Sequence, residues 1–187
     1  MTRAPGKPRP TKYRQLSHTA DLGLRIWGKT REELFENAGA ALTAVLTDRR
    51  RLRPDHTEEI SVEAPDLEAL LVAWLNHLLY LYDVDAFLGR EFKVQELTPQ
   101  RLAVQARGDT YDPERHVART AVKAATYHHL EIANRNGRWQ ATVILDLVML
   151  ILEPRLMIPE TSKTTVRLVT LTASRKLPDP VSLRLVT

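Results

Sequence analysis

The stretch "LEIANRNGRWQATVILDL", residues 130–147, limits what this chain can fold into more than any other. Asn136-Gly137 separates two runs of alternating apolar and polar residues. Asn-Gly readily takes the positive φ angles of a type I′ turn, so the two runs are expected to fold back on each other as an antiparallel hairpin. "EFKVQEL" and "RLAVQARG", joined by Thr98-Pro99-Gln100, read as a second hairpin. Period-two alternation recurs at Leu22, Leu24 and Ile26 and at Ile60 and Val62. About six strands are expected in all.

Three segments read as helices. In "KTREELFENAGAALTAVLTD", Thr30 and Glu33 form a capping box, and Leu34, Phe35, Ala38, Ala41, Leu42, Val45 and Leu46 fall on one stripe. In "APDLEALLVAWLNHLLYLYDVD", Asp66 is the N-cap of a broader apolar face, on which His77 is read as a packed residue. In "YDPERHVARTAVKAATYHHL", Asp112 as cap and Pro113 at the first helical position predict a third helix, on which Lys123 and Tyr127 would be neighbours one turn apart. There is no regular βαβ alternation and no glycine-rich phosphate loop. The expected fold is therefore α+β: two layers, with a mostly antiparallel or mixed sheet and about three helices, rather than a doubly wound nucleotide-binding sheet.

Composition removes several chemistries. The chain has no cysteine, which excludes disulfides, zinc–thiolate sites and thiol nucleophiles and leaves oxygen or imidazole as metal ligands. Its longest apolar run, near "VILDLVMLIL", is about half the ~20 residues needed to span a bilayer, so no membrane partner is expected and a cytoplasmic protein fits. The net charge of +4 is unevenly spread. Residues 1–14 carry five Lys/Arg and no acid, residues 148–187 carry six against three, and residues 15–147 carry 16 against 20. An acidic body with basic ends argues against a nucleic-acid-binding surface on the fold itself. The internal cluster "RRRLR", Arg49 to Arg53, reads as a solvated loop. The expected organisation is a basic, proline-rich disordered tail over 1–12, a domain over 13–147 and a C-terminal extension over 148–187.

Two carboxylates stand out. Asp146 interrupts the last apolar strand on the face opposite Ala141, Val143 and Leu145, and an ionised carboxylate there must reach solvent, pair with a cation or bind a metal. Asp21, in "SHTADLGLRIWGKT", reads from local sequence alone as a turn residue that accepts backbone N–H bonds.

Taken together and in order, "SHTADLGLRIWGKTREELFENAGAAL", "LLVAWLNHLLYLYD", "GDTYDPERHV", "VKAATYHHLEI" and "ILDL" closely resemble the archease family, accessory proteins of RtcB-type RNA ligases, from Tyr13 to Leu147. The resemblance implies a divalent cation, calcium in particular, held by Asp21 and Asp146 with Leu147 supplying a ligand. It also implies a surface for the ligase that includes His18, His116, Lys123, Tyr127 and His128. Archeases usually end at the residue after the last aspartate, whose terminal carboxylate can join the metal shell. Here Leu147 continues into "VMLILEPRLMIPETSK", so only its neutral carbonyl remains for that role. Ala121 stands where archeases often carry an acid. The extension from Arg155 to Leu177 is weakly similar to the opening of an RtcB-type ligase, through too few residues to carry an argument, and is read first as an added strand pair.

The resemblance implies a non-catalytic activator that promotes ligase nucleotidylation and turnover in tRNA splicing or RNA repair and meets RNA only through the ligase. Two other classes stay open on the residues alone. One is a metal-dependent phosphodiester hydrolase using His116, Lys123 or His128 as acid, base or nucleophile. The other is an RNA-binding module working through the basic ends.

Overall fold

The computed structural model describes residues 12–17 and 21–148. Seven strands and two helices follow in the order β1 (Tyr13–Ser17), β2 (Asp21–Gly28), α1 (Arg31–Leu46), β3 (His56–Glu63), α2 (Leu67–Asp85), β4 (Phe87–Leu97), β5 (Arg101–Thr110), β6 (Val122–Arg135) and β7 (Arg138–Leu147). A 3-10 turn over Arg49–Arg51 follows α1. Every strand pair is antiparallel, in one sheet ordered β1-β2-β7-β6 and another ordered β3-β5-β4. Both expected hairpins are present, β4–β5 and β6–β7, the latter turning on Asn136 (φ 54°) and Gly137 (φ 74°). Their positive φ values are those a two-residue hairpin turn requires.

The helices start where their caps say. Thr30 Oγ1 accepts the Glu33 N–H at 3.2 Å, and the Glu33 carboxylate reaches back to the Lys29 N–H at 2.7 Å. Asp66 Oδ1 accepts the Ala69 N–H at 2.8 Å. Each cap answers an N–H that the first turn leaves without a partner. Both helices pack on both sheets, α1 mainly on β2 and β4, α2 mainly on β6 and β4. The shared core runs from Leu24 and Ile26 through Phe35 and Leu42 to Trp74, Leu75, Leu102 and Val143, all at most 1% exposed. Trp74 donates its indole N–H to the Phe35 carbonyl at 3.1 Å and meets the Phe92 ring edge-on at 5.6 Å, so its polar atom is satisfied inside the core.

The predicted third helix is corrected. Asp112 does cap a turn, its carboxylate accepting the Glu114 N–H at 2.9 Å and its carbonyl the His116 N–H at 2.7 Å, but the turn stops there. Residues 116–119 are instead pinned to the end of α1. Thr47 Oγ1 donates to the Val117 carbonyl at 2.9 Å, and the Arg119 N–H bonds the Leu46 carbonyl at 2.9 Å. From Val122 the chain is strand β6, with Val122 and Ala125 buried in the core. Tertiary anchoring has overridden the helical propensity of the alanines. Lys123 and Tyr127 are therefore not neighbours on a helical face. Strand β1 carries no alternation strong enough to be read from sequence and is fixed by pairing to β2, Leu16 opposite Gly23. Residues 1–11 of the expected tail and 149–187 of the expected extension lie outside the described residues.

Candidate functional site

Asp21 opens β2 and Asp146 lies near the end of β7, and the register sets them directly opposite one another. In the same ladder Leu22 pairs with Leu145 and Leu24 with Val143, all toward the core, so Asp21 and Asp146 share the outer face of the sheet with Gly23 and Ile144. Side chains directly opposite on antiparallel strands have Cβ atoms about 4.5–5.5 Å apart, and like charges so placed repel. Both residues are half-buried, and among the described residues neither carboxylate has an ion pair or side-chain hydrogen bond. The alternation that placed Asp146 away from the core was thus legible in sequence. Its partner across the ladder was not, because register depends on a long-range pairing.

On the far side of β7, Ala124 of β6 stands opposite Asp146, and the ladder skips Lys123 between Val122 and Ala124. That bulge leaves Lys123 exposed in the sequence position next to Asp146's partner. Leu147 is half-buried opposite Val122, and the next residue, Val148, donates its N–H to the Ala121 carbonyl at 2.9 Å. His18 lies outside the described residues.

A second interruption of β6 carries the other candidates. Thr126 pairs with Ile144 and Glu131 with Thr142, so residues 127–130 bulge out of the strand. Tyr127 is 64% exposed, and the His128 and His129 rings lie 4.0 Å apart in the exposed bulge, with His129 at φ 50°. Tyr127 and His128 are thereby on one protrusion, and Lys123 lies upstream on the same edge strand.

His116 lies elsewhere and is enclosed, 2% exposed. Its Nδ1 accepts the Asp112 N–H at 3.0 Å, which places the proton of the neutral ring on Nε2. Nε2 lies 3.3 Å from Asp109 Oδ2 without hydrogen-bond geometry, so the contact is electrostatic rather than a made bond. Arg115 grips Asp109 with two nitrogens at 3.1 and 3.2 Å and Asp112 with Nε at 2.8 Å, and the Arg53 N–H adds a bond to Asp109 at 3.0 Å. Burial alone would raise the Asp109 pKa, but the Arg115 and Arg53 hydrogen bonds and the Arg115 charge outweigh it and hold the carboxyl below its ordinary value. Asp112 is held low chiefly by the Arg115 hydrogen bond. This network locks the 109–116 corner to the core; His116 offers no side-chain surface to a partner.

As a donor set, two facing carboxylates suit a hard divalent cation, which prefers oxygen, and a cation between them would remove their repulsion. The fit is partial on the protein's side: among the described residues no group of three His, Cys, Asp or Glu gathers anywhere. Backbone carbonyls and water would have to complete the shell.

Comparisons with known proteins identify the family and the fold. The profile of the archease protein family (MTH1598/TM1083) matches residues 13–147. This chain belongs to the archease family. It is 41% identical over 140 residues to the archease of Methanosarcina barkeri, covering 96% of that protein with 73% of this chain. The Methanopyrus kandleri archease is 37% identical over 138 residues, 99% of its length. The solution structure of Methanobacterium thermoautotrophicum protein 1598 superposes with a TM-score of 0.63 at 33% identity, over 73% of this chain and 99% of that one. A Thermotoga maritima archease crystal structure shares the fold at 19% identity, with a TM-score of 0.50 over 75% of this chain and 97% of that one. No helix among the described residues is long and apolar enough to cross a membrane.

Proposed function

We propose that this archease is a cytoplasmic, cation-binding accessory factor that activates an RtcB-type RNA ligase, promoting its nucleotidylation and turnover in tRNA splicing or RNA repair without performing the ligation. Family membership supports the accessory role, and the face-to-face placement of Asp21 and Asp146 is the single observation that carries the cation site. Asp21, Asp146 and the Leu147 carbonyl would hold a hard divalent ion, calcium by family resemblance, and the ion would supply a fixed positive charge at that end of the sheet. The protein's own residues do the rest. Strand pairing fixes the two carboxylates on a rigid scaffold, so binding costs little ordering. Lys123 and the Tyr127–His128 protrusion present a cation, a phenol and an imidazole from the exposed edge strand, a suitable surface for the ligase. The RNA ends to be joined are held by the ligase.

A multiple-turnover ligation assay with the cognate ligase tests this reading. The wild-type protein is expected to raise turnover and the Asp21→Asn, Asp146→Asn double variant to lose that stimulation while staying folded. Equal stimulation by both proteins, or none by either, would sink the proposal.

A further inference from the structure

Away from the two aspartates, α1, the 3-10 turn after it and the start of β4 line an open cavity of about 380 Å³ that includes Lys12, Arg49, Arg50 and Arg90 with Glu36 and Glu91. Four cations thus face two carboxylates. Both carboxylates are engaged in the protein: Glu36 accepts the Val94 N–H at 3.0 Å, and Glu91 lies 3.9 Å from Arg107.

Two of the guanidinium groups are anchored without a counter-charge. Arg49 Nη1 donates to the Arg90 carbonyl at 3.2 Å, and Arg90 Nη1 donates to the Leu52 carbonyl. Among the described residues neither forms an ion pair. Both side chains are half-buried, so each guanidinium is oriented by neutral oxygens, and its charge and remaining N–H donors are left for a ligand. Holding two like charges at one cavity is unfavourable until an anion occupies it, and planar guanidinium donors match the oxygens of a phosphoryl group. Arg50 is less committed, reaching Asp48 at 3.4 Å with its side chain 90% exposed, and it can swing inward. Lys12 and Asn37 also line an adjoining cavity of about 270 Å³ with Trp27, whose indole gives a flat surface beside the cationic pocket.

We propose that the Arg49–Arg90 cavity is a receptor for a phosphoryl group, carried either by a free nucleotide or by the backbone of a single-stranded RNA. This reading is independent of the cation site and of the ligase. It also gives Arg49 and Arg50, in the cluster read from sequence as a solvated loop, a ligand.

Calorimetric titration of the full-length protein, in chelator so that no metal intervenes, decides it. The probes are inorganic pyrophosphate, ATP and a short oligouridylate. Binding of at least one is expected, weakening as salt rises, with affinity falling roughly tenfold or more in the Arg49→Gln, Arg90→Gln variant. Because Arg90 also bonds the chain, a Lys12→Gln, Arg50→Gln variant provides a second reading: both side chains are exposed, so its melting temperature should be unchanged while its affinity drops several-fold. Arg135→Gln, on the distant β6–β7 turn, should bind as wild type does. Tighter binding of oligouridylate with a steep salt slope assigns the site to RNA; equal binding of ATP and pyrophosphate assigns it to a free phosphate. Absence of binding by all three probes, or binding unaltered in both cavity variants, would overturn the proposal.

Discussion

Asp21 and Asp146 face each other with no cation among the described residues to separate them. Removing one charge should therefore help the metal-free protein. Asp21→Asn is expected to raise its stability in chelator by about 0.2–1 kcal/mol, read by urea denaturation, and, under the proposed cation site, to show none of the stabilisation by calcium expected of the wild type. A variant less stable than wild type in chelator would mean that the carboxylate serves the fold. Asp109 behaves in the opposite way. A carboxyl held below 3.8 in the folded state contributes stability fully above that value and loses it as pH falls through the folded pKa. The wild type should thus weaken below about pH 4. Asp109→Asn should cost about 1–3 kcal/mol at pH 7, discounted because Arg115 is partly exposed, and should flatten the acid limb of a stability-versus-pH series. His116 shows how little a residue's chemistry says about its place. A histidine beside an Asp-Pro turn reads as a surface group until the corner closes over it.

Among the elements, β6 is where sequence and structure part. Its hairpin with β7 was legible because Asn136-Gly137 states its own turn, and α1 and α2 were legible because Thr30 and Asp66 state their own starts. The first half of β6 was not. Its alanines favour a helix locally, and what makes it a strand is a set of contacts distant in sequence. Asn76 of α2 is the clearest of these. Its amide donates to the Ala125 carbonyl at 3.1 Å and accepts the Ala125 N–H at 2.8 Å, standing in for a neighbouring strand at the sheet's edge. Asn76→Ala leaves both backbone groups without that partner and should cost about 1–3 kcal/mol, with faster hydrogen exchange at Ala125 and little change in the β2–β7 ladder. Uniformly faster exchange across the sheet would show that Asn76 holds more than the edge.

At the scale of the whole molecule, this chain spans 96% of the M. barkeri archease while that match takes up 73% of its own length. The family match ends at Leu147, and the sequence continues beyond it to Thr187. Truncation after Leu147 would replace a neutral carbonyl by a carboxylate close to Asp146, at the loss of the Val148–Ala121 hydrogen bond. One added negative charge at a half-buried site should tighten calcium binding by about 1 kcal/mol or more, and the lost bond should cost about as much stability. A folded 1–147 fragment with unchanged or weaker affinity would remove the terminal carboxylate from the metal argument. Calcium titration of the intact chain by calorimetry tests most directly whether the two aspartates form a cation site. The expected result is saturable binding of one ion, abolished in both Asp21→Asn and Asp146→Asn while their far-ultraviolet spectra stay native. Binding that survives in the two variants, or an intact chain that takes up no calcium, magnesium or manganese, would contradict it.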